Sequence, residues 1–129
     1  MSRTAAVLDA SAVLALLFEE SGAGAVLEVL PRALVSAVNW VEIMQRGLEK
    51  GVDPTQDRHR LEAIGLAVVP LTAGQAEDAA VLRAATRHLG LSLADRCCLA
   101  LAREVGFPVL TADAAWDQAD VGAAVVVIR

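Results

Sequence analysis

Two kinds of apolar run alternate along this chain. Short, nearly uninterrupted runs lie at residues 5–8, 33–35, 66–69, 107–110 and 123–128. They are too short for helices and lack the polar alternation of a sheet with one wet face, so they read as strands buried on both sides. The longer stretches between them carry helical spacing and helix punctuation. One opens at Ala10 or Ser11 and runs to about Glu20, stopped by Ser21-Gly22; a shorter one follows at 23–30, closed by Pro31. Ser36 is placed to cap a helix over 37–50, which Gly51 ends. Asp53-Pro54 starts the next, with Asp as cap and Pro in the first turn, and Gly65 stops it. Thr72 caps the longest helix, to about His88, and Ser92 or Leu93 opens the last, to Val105. A short helical turn holds Ala115 and Trp116. Strands alternating with helices predict an α/β fold, a three-layer α/β/α sandwich around a mainly parallel five-stranded sheet.

Length and composition narrow the class. With 129 residues, 56% of them hydrophobic and 21% charged, the chain is expected to form one domain, residues 1–129, with a real core. The apolar content is largely alanine and aromatics are only 3%, which favours closely packed helices over a β-sandwich. A net charge of −5 speaks against holding nucleic acid by bulk electrostatics, but not against binding phosphates through cations. Cys97 and Cys98 are adjacent and read as small apolar helix residues rather than a disulfide or a metal pair. No signal peptide and no apolar run of about 18 residues is visible, so a reducing cytoplasm is the expected compartment and no membrane is expected as a partner.

The candidate chemistry is acidic. Asp9 and Asp113 directly follow apolar strands, Glu42 lies in the second turn of a helix, and Asp95 lies in the first turn of another. In a parallel sheet the two strand ends share one edge, and ligands bind at that edge. Helices that start there would bring the other two acids to the same pocket. Carboxylates so close repel, and a divalent cation relieves them; oxygen-only ligation suits Mg²⁺ or Mn²⁺ rather than zinc. Ser11 and Thr111 set hydroxyls two residues from Asp9 and Asp113, where they could orient a carboxylate. Each acid also has a plainer role. Asp95 fits a helix-start charge, Asp113 fits a turn, and spacing alone leaves both alternatives open. Asp9, so near a buried strand, needs a partner in either case.

Four segments resemble the successive motifs of PIN-domain ribonucleases, in the family's order. They are Val7-Leu8-Asp9-Ala10-Ser11-Ala12-Val13, Ser36-Ala37-Val38-Asn39-Trp40-Val41-Glu42, Gly90-Leu91-Ser92-Leu93-Ala94-Asp95-Arg96 and Leu110-Thr111-Ala112-Asp113-Ala114-Ala115-Trp116. Within the family the chain is most similar to the toxin component of VapBC toxin–antitoxin pairs. The resemblance implies a five-stranded parallel sheet and Mg²⁺- or Mn²⁺-dependent cleavage of RNA. It implies Asp9, Glu42, Asp95 and Asp113 as the metal-binding acids, with Asp117 matching a further acid of some members. Ser11 and Thr111 match the polar positions beside the acids. It also implies a homodimer, and a cognate antitoxin that lays a peptide across the early helices and reaches the active site. Many members carry a basic residue after the last motif's Asp; here it is Ala114, which leaves Arg96, Arg46 and Lys50 as candidate RNA contacts.

Other chemistries fit less well. Phosphatases with an aspartyl nucleophile want a second acid two residues after the first, where this chain has Ser11. A receiver domain needs a lysine late in the sheet, whereas the single lysine is Lys50. No glycine-rich phosphate loop is present, and His59 and His88 sit on charged helix faces away from the acids. The rival of a different class is a non-catalytic PIN-like module that binds RNA or a protein partner. Leu16, Leu17 and Phe18, with Val26, Leu27, Val29 and Leu30, make the early helices unusually apolar; core packing, a groove for a partner's helix and self-association all remain open.

Overall fold

A computed structural model describes residues 5–129. Its strands are β1 (Ala6–Leu8), β2 (Ala33–Ser36), β3 (Ala67–Val69), β4 (Val109–Thr111) and β5 (Val125–Val127). Its helices are α1 (Ala10–Leu17), α2 (Ala23–Val29), α3 (Ala37–Glu49), α4 (Thr55–Ile64), α5 (Ala73–Thr86) and α6 (Leu93–Val105), with short 3₁₀ turns at Leu30–Arg32, Arg87–Leu89 and Ala114–Gln118. The sheet order is β3-β2-β1-β4-β5 and every pairing is parallel. The expected α/β/α architecture is therefore present, and parallel throughout rather than mainly so.

Side-chain alternation along the strands builds two cores. Ala6 and Leu8 of β1, Ala33 and Val35 of β2 and Leu110 of β4 pack with α1, α2, Ile43 of α3 and Leu61 of α4. Val7 and Val109 point the other way, against Leu82 of α5 and Cys98, Leu99, Leu101 and Ala102 of α6. Both faces of the central strands β1, β2 and β4 are covered, as uninterrupted apolar runs require, whereas the edge strands β3 and β5 are partly open and Val126 is exposed. Cys97 and Cys98 are buried free thiols on α6, and His59 and His88 are exposed. Among the described residues no helix is long and apolar enough to cross a membrane.

The element boundaries differ from expectation in two instructive places. The first helix stops at Leu17 instead of near Glu20, because Glu19 turns into the left-handed region at φ 53°. Glu20 N–H then donates to Ala15 C=O (2.8 Å) and Glu19 N–H to Leu16 C=O (3.3 Å), the paired bonds of a Schellman ending. At α4 the capping residue by backbone position is Pro54, one residue later than expected. The Asp53 carboxylate still accepts from Thr55 N–H at 2.9 Å.

The apolar early helices are mostly accounted for by the core. Val26, Val29 and Leu30 are buried and Leu16, Leu17 and Phe18 pack partly buried against them, whereas Leu27 is 53% exposed.

Candidate active site

Strand order decides where the site lies. From β1 the chain goes outward to β2 and β3, then returns to β1's other side for β4 and β5. The switch falls between β1 and β4, and the crevice of a parallel sheet opens at the carboxyl ends of the strands flanking it. Asp9 ends β1 there and Asp113 follows β4. Asp9 N–H donates to Leu110 C=O at 3.2 Å, which ties the two strand ends together.

Asp9 is both helix cap and buried anion. It is 4% exposed, and its Oδ1 accepts from Ala12 N–H at 2.8 Å, satisfying the first turn of α1. Ser11 Oγ donates to both carboxylate oxygens (2.7 and 2.9 Å) and Thr111 Oγ1 donates to Oδ2 at 2.6 Å. The two hydroxyls are in turn held by the β4 loop, since Ser11 Oγ accepts from Ala112 N–H (2.8 Å) and Thr111 Oγ1 from Asp113 N–H (3.1 Å). Burial raises the Asp9 carboxyl to about 6 against these hydrogen bonds, and the charge of Asp95 adds to the rise.

The other acids arrive on helices. Ser36 caps α3, accepting from Val38 N–H at 3.2 Å, so α3 starts at the same sheet edge and carries Glu42 toward it. Asn39 Nδ2 donates to Glu42 Oε1 and to Ala94 C=O, both at 3.2 Å, bridging α3 to the start of α6. Burial raises the Glu42 carboxyl, Asn39 and Arg46 oppose the rise, and Asp95 adds to it. At α6, Ser92 and Asp95 form a capping box: Asp95 N–H donates to Ser92 Oγ (3.1 Å) and Ser92 N–H to Asp95 Oδ2 (2.8 Å). Burial outweighs those bonds and raises Asp95, with Asp113 adding to the rise and Arg96 opposing it. Asp113 is exposed at the rim, its Oδ1 accepting from Ala115 N–H at 2.9 Å.

A cavity of about 270 Å³ receives all these groups. Its walls are Asp9, Ala10, Ser11, Leu14, Glu42, Arg46, Ser92, Asp95, Asp113 and Trp116. The convergence of charge is felt behind it. The Cys98 thiol, raised first by its burial, is raised further by Asp9, Asp95 and Glu42 together. The donor set is all oxygen, with no histidine or thiolate, which fits a hard divalent cation. The fit is loose in spacing: among the described residues no three acids stand close enough to grip one ion directly. Bound water would complete such a shell, as is usual for Mg²⁺.

Not every candidate lies in the cavity. Asp117 is exposed on the 3₁₀ turn and does not line it. Arg46 lines it, whereas Lys50, which caps the end of α3, lines only an adjoining cleft. Arg96 is only 7% exposed and donates from Nη1 to Ala79 C=O of α5 at 2.9 Å. A phosphate contact from Arg96 does not suit that placement; it acts instead as a buried counter-charge beside Asp95. Asn39 is a residue of this site that the sequence pattern does not single out. Its signal is a buried amide one turn before an acid, visible only once α3 packs against α6.

Known proteins share this fold. No curated protein matches the chain. Among solved structures it is similar to a toxin–antitoxin complex from Klebsiella pneumoniae, with TM-score 0.74 and 21% identity over 97% of this chain and 98% of that one. It is similar also to DNA-bound VapBC from Salmonella typhimurium, with TM-score 0.70 and 16% identity over 98% and 99% of the two chains. For VapBC-5 from Mycobacterium tuberculosis the TM-score is 0.61, with 24% identity over 98% of each chain. At such identities the likeness is one of fold. The sequence profile of the PIN domain matches residues 6–122, from the first residue of β1 to beyond the last acid of the cavity, and the chain belongs to the PIN domain family.

Proposed function

We propose that this chain is a Mg²⁺- or Mn²⁺-dependent endoribonuclease and the toxin of a type II toxin–antitoxin pair, with a cognate antitoxin as its protein partner. The observation that carries the proposal is the meeting of Asp9, Glu42, Asp95 and Asp113, drawn from distant stretches, on the walls of one cavity at the β1/β4 switch point. The toxin assignment draws its support from the similar structures, several of which are toxin–antitoxin complexes.

Asp9, Glu42, Asp95 and Asp113 would hold the cation. When bound, it supplies the Lewis acidity that activates water and offsets the charge building at phosphorus. The chain's own part is positioning. Ser11 and Thr111 clamp the Asp9 carboxylate, Asn39 holds Glu42, and the α6 capping box holds Asp95. These side chains are held in place before substrate arrives, which lowers the cost of orienting them during the reaction. Asp113, exposed at the rim, is the acid most open to an incoming substrate. Arg46, on the same wall as the acids, offers a cation to the substrate's phosphates.

The second reading, a PIN-like module without catalysis, is favoured by the open spacing of the acids. The two diverge on cation binding. Asp9→Asn and Asp95→Asn are expected to abolish Mg²⁺- or Mn²⁺-dependent RNA cleavage while the far-ultraviolet circular dichroism is kept, and to abolish any rise in Tm on Mn²⁺ addition. Full cleavage by both purified variants would end the nuclease proposal. An unchanged Tm across a Mn²⁺ titration of the parent would favour the scaffold.

A further inference from the structure

Next to the acid-lined cavity lies a second cleft, of about 160 Å³, that shares Ser11, Leu14 and Arg46 with it. Its character is opposite. Among its side chains, Arg46, Lys50 and Arg129 stand with one carboxylate, Glu20, so cationic side chains outnumber anionic ones three to one. That is notable in a chain whose net charge is −5 and whose sole lysine is Lys50.

Arg129 is ion-paired with Glu20, whereas Arg46 and Lys50 are held without a salt bridge among the described residues. Lys50 Nζ sits 4.4 Å from the centroid of the Phe18 ring, a contact that positions an ammonium while leaving its N–H donors free. Arg129 Nη1 reaches Glu20 Oε1 at 3.3 Å and Ser21 C=O at 3.4 Å, which steadies a guanidinium that has further donors to offer. Among the described residues neither Arg46 nor Lys50 forms an ion pair, although Arg58, Arg60 and Arg103 each do. Arg46 stands on the boundary and lines both spaces.

We infer that this cleft seats the phosphate adjoining the cut in a single-stranded RNA, with Lys50 and Arg129 as its donors and Arg46 bridging to the acid-lined cavity. The inference rests on the ribonuclease proposal and adds a direction to it: the strand leaves the site past α1 and the end of α3. It also explains how an acidic protein holds a polyanion, by a local cluster of cationic side chains abutting the cation site rather than by net charge. Phe18 acts as a positioning residue for Lys50.

The test separates binding from cleavage. Affinity for a fluorescein-labelled single-stranded RNA of random sequence is measured by anisotropy in Ca²⁺, for the parent, for Lys50→Gln with Arg129→Gln, and for Arg60→Gln with Arg83→Gln. The last pair removes the same charge from α4 and α5. The cleft pair is expected to weaken binding about tenfold and to lower the slope of log affinity against log salt by about 0.7 per lost contact; the remote pair is expected to bind as the parent does. In Mn²⁺ cleavage the cleft pair is expected to raise KM more than it lowers kcat. Equal affinity of the cleft pair and the remote pair would overturn the inference and leave an acidic protein segment as the occupant to consider. Failure of the parent to cleave RNA in Mn²⁺ would sink the ribonuclease proposal, while the affinity comparison would still decide the cleft.

Discussion

Asp9 carries a cost that is readable in its surroundings. A carboxylate 4% exposed is stabilised by three donors, yet burial still wins and its pKa rises from 3.8 to about 6. The folded state therefore holds this proton more tightly than the unfolded chain does. The stabilising contribution is complete below pH 4 and is lost as pH rises through about 6. The loss amounts to roughly 2–4 kcal/mol by the conversion of pKa shift to free energy. Without divalent cations, Asp9→Asn is thus expected to gain stability relative to the parent on going from pH 4 to pH 8. Urea unfolding in EDTA at the two pH values checks this, and a gap that does not change with pH would contradict it. The importance of Asp9 was legible because an acid at the end of an apolar strand has few plain explanations. The importance of Asn39 was not: nothing in Val38-Asn39-Trp40 says that this amide is buried between Glu42 and Ala94 C=O.

Most helices begin where local chemistry says they should, α4 being one residue late, and their ends are less predictable. Ser36, Thr72 and Ser92 all cap the helices they precede, because a side-chain oxygen satisfying an orphan N–H is a local event. The end of α1 is different. Glycine is the usual residue in the left-handed turn after a helix, so Gly22 looked like the stop, whereas Glu19 takes that conformation at φ 53°. An L side chain there costs about 1 kcal/mol or more. Part of the gain from Glu19→Gly is offset by the greater freedom of glycine in the unfolded chain. The variant is expected to be more stable by roughly 0.5–1 kcal/mol, seen as a higher Tm; a lower Tm would mean that the Glu19 side chain contributes more than the turn costs.

At the scale of the whole molecule, strand order converts scattered acids into a site. Had β4 paired with β3 instead of β1, Asp113 and Thr111 would lie at the far side of the sheet from Asp9, with the same local sequence. The surface shows the same dependence. Of the seven apolar residues on the early helices, only Leu27 stands well exposed. Val41 at 63% and Leu48 at 58% exposure, seven residues apart on α3, are exposed as well. We propose that such residues serve self-association, in keeping with the homodimer implied by the family resemblance. Light scattering at micromolar concentration is expected to give a dimer, and a strict monomer would refute it.

The sequence by itself determined the strands, the helix starts, the α/β class and the identity of the acids worth watching, because apolar periodicity and capping are written within a few residues. Tertiary structure alone decided that Arg96 is buried against α5 rather than presented to substrate, that Asn39 holds Glu42, and that a basic cleft adjoins the acids. Those outcomes depend on which helix packs against which and on the order of strands across the sheet. Both are set by contacts between residues dozens of positions apart, whose pairing no local pattern records.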